Sequence, residues 1–514
     1  MKRIYSYILI ASALIAAASC EKDNQVKHEE QGQKMVFSAS YVTETESKTV
    51  MGAVDGTSAP VLWSGKESIK ISNCDGTGAT FERTDGEAES ATAEFAGDYN
   101  TWENQENGIY ALYPGLHPYF NVPEGVVFED LAAEQTAKAG SFADTTMISI
   151  AKADENYHLP FRNVTGVIAF SLNGFSNVES VEFYGNLGED LAGRMKIDLN
   201  SLSILTQENQ KKSLILKAEE GSTLANGEQY YIVSTPQVLS NGFTVLVKCK
   251  GGKTYFRTSE KSNEIKRSKV LNLGELSQSN FTAIAVDELY IVGNAPHDCN
   301  WEIANARKMN KVADGVFKYG NRLIGGNLEE ETGCYKFVLD KSNWEPAFVK
   351  GNENNQLRYY VGKPGNGDLK FNVQDDNAYT ITVDLNNMTH TVEWIDPSTR
   401  MWLVGNASPF GWMDNNNAYD VELLATDETK TVFTWTGNLT TGELKISTEL
   451  GNGWGGTWIY ATSNGYEIGN SAEQTVGYDM RTAGDPDNKW KITTAGNYTV
   501  TVNTKNSQIT FKKN

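Results

Sequence analysis

Cysteine is scarce in this 514-residue chain: five residues, at positions 20, 74, 249, 299 and 334, none of them in CxxC spacing. That usage excludes a disulfide framework and a cysteine-built zinc module. Histidine is as rare, with five scattered copies, and His297-Asp298-Cys299 lacks the spacing of a zinc site, so no metal centre and no other cofactor is expected. Basic residues are outnumbered, 45 against 65 acidic ones, for a net charge of −20. With no basic stripe to offset it, such a surface repels phosphate backbones and excludes nucleic acid as a partner. Long helical periods are nearly absent, as are the motifs GxSxG, HExxH and the P-loop, and no acid pair stands out. The chain therefore reads as non-catalytic. The stretch Asp75-Gly-Thr-Gly-Ala-Thr supplies too few ligating positions for a calcium loop and reads as a turn.

What is present is strand chemistry. Short runs such as MVFSASYV, PVLWSG and SIKISN are rich in β-branched and aromatic residues and are punctuated by Asp-Gly turns at 55, 75 and 85. Aromatics make up 11% of the chain, too many for a disordered acidic polymer, and the length accommodates several cores. The predicted fold class is all-β, with antiparallel β-sandwiches in series. In one of the predicted strands Phe243, Val245 and Val247 alternate with Thr244, Leu246 and Lys248, as on a half-buried sheet.

The first residues read as a targeting segment. Lys2 and Arg3 precede the apolar run IYSYILIASALIAAA, which is too short to be a good spanning helix and ends in small residues before Cys20. Ala17-Ala18-Ser19-Cys20 resembles the bacterial lipobox, with Ala17 where that motif most often has Leu. The resemblance implies a signal peptide over residues 1–19, lipidation of Cys20 and anchoring by acyl chains; a plain secretory signal with an incidental cysteine is the alternative. Glu21-Lys22-Asp23 is similar to the acidic export signal of surface lipoproteins in Bacteroidetes, which implies an outer-membrane, cell-surface location. Residues 20–35 are polar and aperiodic and read as a flexible tether.

Five stretches in the first half carry a family resemblance. They are VLWSGKESIKI (61–71), GIYALYPG (108–115), LPFRNVTGVIAFSL (159–172), YYIVSTPQVLSNGFTVLVKCKGGKTYFR (230–257) and IKRSKVLNLGEL (265–276). Together they resemble the fimbrillin-like family, which implies two transthyretin-like sandwich lobes, over residues 36–156 and 157–280.

The second half repeats itself. LYIVGNAPHDCNW (289–301) returns as MWLVGNASPFGW (401–412), VFKY (316–319) as VFTW (432–435), and YTITV (379–383) as YTVTV (498–502). The offset drifts because loops change length while strands do not, as in tandem homologous domains, here residues 287–397 and 400–514. The pair resembles the SusE/SusF family of surface lipoproteins, which implies Ig-like glycan-binding modules and a SusC/SusD-like uptake complex as partner.

Tryptophan distribution supports the same chemistry from the residues themselves. Nine of the eleven tryptophans fall between Trp301 and Trp490. Matching HTVEW (390–394) to SQITF (507–511) places Trp394 opposite Phe511, and Trp402, Trp435 and Trp490 likewise align with large rings; these four are expected in cores. Trp301, Trp344, Trp412, Trp454 and Trp458 fall in loops or at strand ends, Trp454 among Gly451, Gly453, Gly455 and Gly456. A pyranose has a flat C–H patch that stacks on a rigid ring and a hydroxyl rim that needs donors and acceptors. The expected binding set is Trp454, Trp458, Lys445, Asn452 and Trp412 in the second copy, and Trp344, Phe348, Lys336 and Trp301, with Asn343, in the first. Against this, a strand lysine also suits a solvated face, and Trp301 and Trp412 also suit plugs at a sandwich end. Phe348 standing where the second copy has Trp458 marks the first copy as the weaker binder. The expected function is polysaccharide or oligosaccharide capture for uptake; the alternative is a fimbria-associated or cell-adhesion protein that assembles through its first half. Whether Cys299 and Cys334 pair is left open.

Overall fold

The computed structural model describes residues 34–514 apart from 43–49, 52–60, 99–106, 144, 297–298, 363–366, 396–399, 413–420, 428–429, 450–453, 470 and 505–506. The expectations for the signal peptide, Cys20, the tether up to residue 33 and Asn452 lie outside the described residues, while Lys34 and Met35, placed in the tether by sequence, begin the first strand. Those described form strands joined by turns and single-turn 3-10 helices, with no α-helix, so the chain is all-β as its patterning predicts. Among them no helix is long and apolar enough to cross a membrane.

The described residues begin with a closed barrel. Lys34–Tyr41 pairs antiparallel with Thr92–Asp98 and parallel with His158–Asn163, which joins the two ends of the sheet. Period-two alternation sends Phe37 and Ala39 inward and leaves Val36 outside. Trp63 is the centre of this core, meeting Phe95, Tyr113 and Phe161 edge-on at 5.0, 5.5 and 5.3 Å. A larger core follows, built between a six-stranded sheet that contains Val178–Gly185, Phe243–Cys249 and Thr254–Ser259 and a three-stranded sheet in which Gly166–Asn173 runs parallel to Val270–Ser277.

Each of the two repeated segments forms its own pair of packed layers. In the first copy Tyr290–Gly293, Cys334–Val338, Ala347–Lys350 and Leu357–Tyr360 make one sheet, and Val316–Leu323, Asn377–Asp384 and Thr389–Ile395 lie in the other. In the second copy the corresponding layers are joined by the long strand Glu473–Thr482, whose first half pairs with Gln508–Lys513 and whose second half pairs with Thr457–Ala461. Registers agree between copies: Val292 faces Lys336 and Val404 faces Lys445.

Two sequence expectations are corrected by packing. Thr244 and Leu246 are buried, so Phe243–Cys249 is covered on both faces. The covering element is the first copy's edge strand Leu357–Tyr360: Arg358 Nε meets Glu182 Oε1 at 2.9 Å, Tyr184 donates its hydroxyl to the Tyr359 carbonyl at 2.9 Å, and Tyr360 donates to the Asn186 carbonyl at 3.0 Å. Trp394 is 59% exposed rather than in a core. The hairpin registers explain it, since Val383 pairs with His390 and Val502 with Ile509, so the equivalent of Phe511 is Val392 and the equivalent of Trp394 is Lys513. Trp402, by contrast, is buried on an outer face against Val404 and Trp458, while Trp435 and Trp490 pack with the main core as expected. Cys299 and Cys334 are buried free thiols, each pushed up in pKa chiefly by burial.

Candidate functional site

The register of Gly442–Ser447 against its neighbours creates the site. Ile446 faces Ile459 and Ser447 faces Trp458, so Leu444, Ile446 and Ile459 point into the core while Lys445, Trp458 and Tyr460 share the outer face. On that face Trp402, Val404, Trp458 and Tyr460 form a small separate cluster, with Trp412 packed against its rim.

Trp458 is fully buried, 0% exposed, and its indole N–H donates to the Gly455 carbonyl at 2.8 Å. It is therefore not an outward platform as the sequence suggests, because the described end of the glycine-rich loop, Trp454–Gly456, closes over it. Trp454, on that loop, is the platform: its ring lies nearly parallel to Trp458, with centroids 5.8 Å apart and planes at 16°, and 52% of its surface remains exposed. Trp412 leans against Trp454 at 6.2 Å and 48° and is half-buried. Trp412, Trp454 and Trp458 thus meet in space, but as a stack of a buried support, an exposed ring and a flanking ring.

Lys445 has moved from the role expected of it. It is buried, with its ammonium 4.2 Å from the Trp458 ring centre, 4.8 Å from Trp454 and 5.5 Å from Tyr460, and 2.9 Å from Asp487 Oδ1. Burial lowers its pKa and Asp487 partly offsets that shift. A buried, paired ammonium pins the rings and leaves little for a ligand; Asp487 and Lys489 take the outward position, bonded to each other at 2.9 Å. Burial pushes the Asp487 carboxyl up, but the Lys489 and Lys445 ammoniums outweigh it and hold it below the ordinary carboxylate value. Arg481 stacks on Tyr460 at 4.0 Å and donates to the carbonyls of Gly484, at 2.8 Å, and Pro486. It thereby fixes the loop that presents Asp487.

The first copy repeats half of this. Lys336 is buried and bidentate on Asp368, at 2.9 and 3.0 Å, with its ammonium 5.2 Å from the Trp344 ring. Trp344 and Trp301 lie 6.3 Å apart at 44°, and Lys370 sits 5.5 Å over Trp301. Asn343 turns onto its own loop, bonding Asp340 Oδ2 at 3.2 Å. Phe348 is a correction: it faces Phe337, is 0% exposed and packs on Tyr359 at 5.2 Å, so it is core. The residue facing Val338, in the place that Trp458 holds opposite Ser447, is Ala347. The first copy therefore lacks the supporting ring altogether.

Sequence reading missed Tyr460, Arg481, Asp487, Lys489, Asp368 and Lys370. The spacing Trp458-x-Tyr460 carries a signal, since alternate residues share a strand face; Asp487 and Asp368 carry none, because they reach the lysines from distant loops.

No protein-family model matches the sequence, and no curated protein does. Solved structures resemble it weakly. A candidate cell adhesion protein from Bacteroides ovatus aligns over 49% of this chain and 96% of its own length, with 12% identity and a TM-score of 0.29. SusF from Bacteroides thetaiotaomicron aligns over 68% and 76%, with 14% identity and a TM-score of 0.19. A fimbrial protein from Bacteroides ovatus aligns over 56% and 67%, with 11% identity and a TM-score of 0.21.

Proposed function

We propose that this chain is a non-catalytic, lipid-anchored surface protein that captures polysaccharide or oligosaccharide on the second repeated module. In this reading two fimbrillin-like lobes form a stalk, the two repeats are SusE/SusF-like modules, and Cys20 carries the anchor in the outer membrane beside an uptake complex. The observation that carries it is the exposed Trp454 ring, held parallel to a fully buried Trp458 and pinned by the Lys445–Asp487 pair. A rigid ring offers a pyranose face its stacking area with little entropy left to lose. Asp487 and Lys489 stand beside it as acceptor and donor for the hydroxyl rim.

Affinity electrophoresis against a polysaccharide panel tests this. Trp454→Ala is expected to abolish the retardation that the parent shows, with affinity falling at least about tenfold, or about 1.4 kcal/mol. Equal migration of parent and variant on every glycan would remove the basis of the reading. The alternative, a fimbria-associated or adhesion protein, has one observation in its favour: Val270–Ser277 pairs along one edge only among the described residues, with Leu276 buried and the rest of the strand half-buried or exposed. It predicts ladders of oligomers where the carbohydrate reading predicts a monomer.

A further inference from the structure

The edges of the two copies differ in a way that leaves a cleft in the first. In the second copy Gln508–Lys513 pairs with Gly496–Asn503 on one side and with Glu473–Gly477 on the other, and Phe511 is 1% exposed. In the first copy Thr389–Ile395 pairs with Asn377–Asp384, and on its other side only a single bridge, Gln356 to Thr389, is formed among the described residues. Val392, in the place of Phe511, is 37% exposed. Where the covering strand is missing, a half-open cavity of about 950 Å³ runs between the layers. That is the size of a site for an oligosaccharide rather than for a solvent molecule.

Its walls have a distinct chemistry. The floor is the stacked pair Phe371–His390, with ring centres 4.0 Å apart, continued by Val392. The rim is amide-rich: Asn354, Asn355 and Gln374 are exposed, and their side chains make no hydrogen bond among the described residues. Lys350, half-buried in the wall, makes no ion pair and no side-chain hydrogen bond among the described residues. Glu329 also lines the cleft and Glu353 acts on the Lys350 charge, but neither is bonded to it, and a half-desolvated ammonium with free amides around it suits a ligand that carries both an anionic group and hydroxyls. Lys370, also in the lining, is paired with Glu331 at 3.1 Å and lies over the Trp301 ring at 5.5 Å.

We infer that this cleft is a second saccharide site, distinct from the Trp454 platform, and that it takes an acidic sugar whose carboxylate or sulfate pairs with Lys350 while Asn354, Asn355 and Gln374 meet the hydroxyls. The inference borrows from the proposed function only the class of ligand. The chain's net charge of −20 opposes approach of an anionic polymer at long range, so the contact is local and weakens with added salt.

The test uses the full chain carrying Trp454→Ala, titrated calorimetrically with trigalacturonate, a sulfated chondroitin disaccharide and, as neutral probe, cellotriose. At least one acidic probe is expected to bind, and adding Lys350→Met should weaken it at least tenfold, about 1.4 kcal/mol. Asn355→Ala, at an exposed amide, serves as the second variant and should weaken binding with an unchanged melting temperature. Which acidic probe binds separates carboxylate from sulfate. Absence of binding by both acidic probes up to about 10 mM, or equal affinity in parent and both variants, overturns the inference. Acidic binding that persists while no glycan depends on Trp454 would sink the proposed function and leave this site standing.

Discussion

Two adjacent tryptophans of one loop and strand divide support from contact. Trp458 is fully buried with its N–H bonded, whereas Trp454 is half exposed, so the two substitutions should separate stability from binding. Trp458→Ala is expected to cost about 3–5 kcal/mol of stability, as large buried rings do, and Trp454→Ala less than about 1 kcal/mol, both readable in urea unfolding. A binding loss in Trp458→Ala without a stability loss would contradict the support role. Two buried ionisable groups shape the pH response. Burial lowers the His390 pKa to about 4, with its Nε2 bonded to the Tyr335 hydroxyl at 3.0 Å. The unfolded histidine takes up its proton near pH ~6.5, so this contribution is full above that value and is lost as pH falls towards 4. Burial raises Asp479 to about 7, with Arg481 offsetting part of the shift. A carboxyl raised in the folded state contributes stability that is present at acid pH and is lost as pH rises through 7. The two act in overlapping windows with opposite sign, so the parent's own profile is nearly blind to either. Relative to the parent, His390→Gln should gain melting temperature on acidification from pH ~6.5, and Asp479→Asn should gain it as pH is raised from ~4 to about 7.

Strand packing places these residues, and it depends on close backbone approach. Gly320 of Val316–Leu323 lies against Glu473–Thr482, where an added Cβ would stand 1.6 Å from the Met480 carbonyl oxygen. Backbone cannot yield as a flexible side chain can, so Gly320→Ala is expected to cost about 1–3 kcal/mol and to uncouple the two copies into separate transitions in calorimetry. A single unshifted transition would show that the strands have room to slide. At this scale the sequence was legible where alternation has one solvated side: Phe37 and Ala39, or Leu444 and Ile446, point inward as period two requires. It failed for Thr244 and Leu246, whose outer face is covered by a strand more than a hundred residues away. It failed again for Trp394, because a hairpin register is set by its turn, and aligning two copies two residues out of register exchanges a rim position for a core one.

Across the whole molecule the first copy is hemmed in on both sides, by the sheet that contains Val178–Gly185 through Arg358 and by the second copy at Gly320, while the second copy keeps its Trp454 face open. If one polymer touches both aromatic pairs, the second contact is intramolecular and avidity rises by about 10² or more. Trp344→Ala should then weaken retention of a long polysaccharide but leave the affinity for a short oligosaccharide at the Trp454 platform unchanged. Equal losses on long and short ligands would place both contacts in one site. The sequence by itself determined that the chain is all-β, that its second half is written twice, and that indoles and lysines recur together, since these follow from local periodicity and repetition. Only the tertiary structure decided which indole faces outward, that both lysines are consumed by Asp368 and Asp487, and that one copy has a covered edge and the other an open cleft. Exposure is a property of what lies across a sheet face or along its edge, and loops and strands far away in the chain supply that cover.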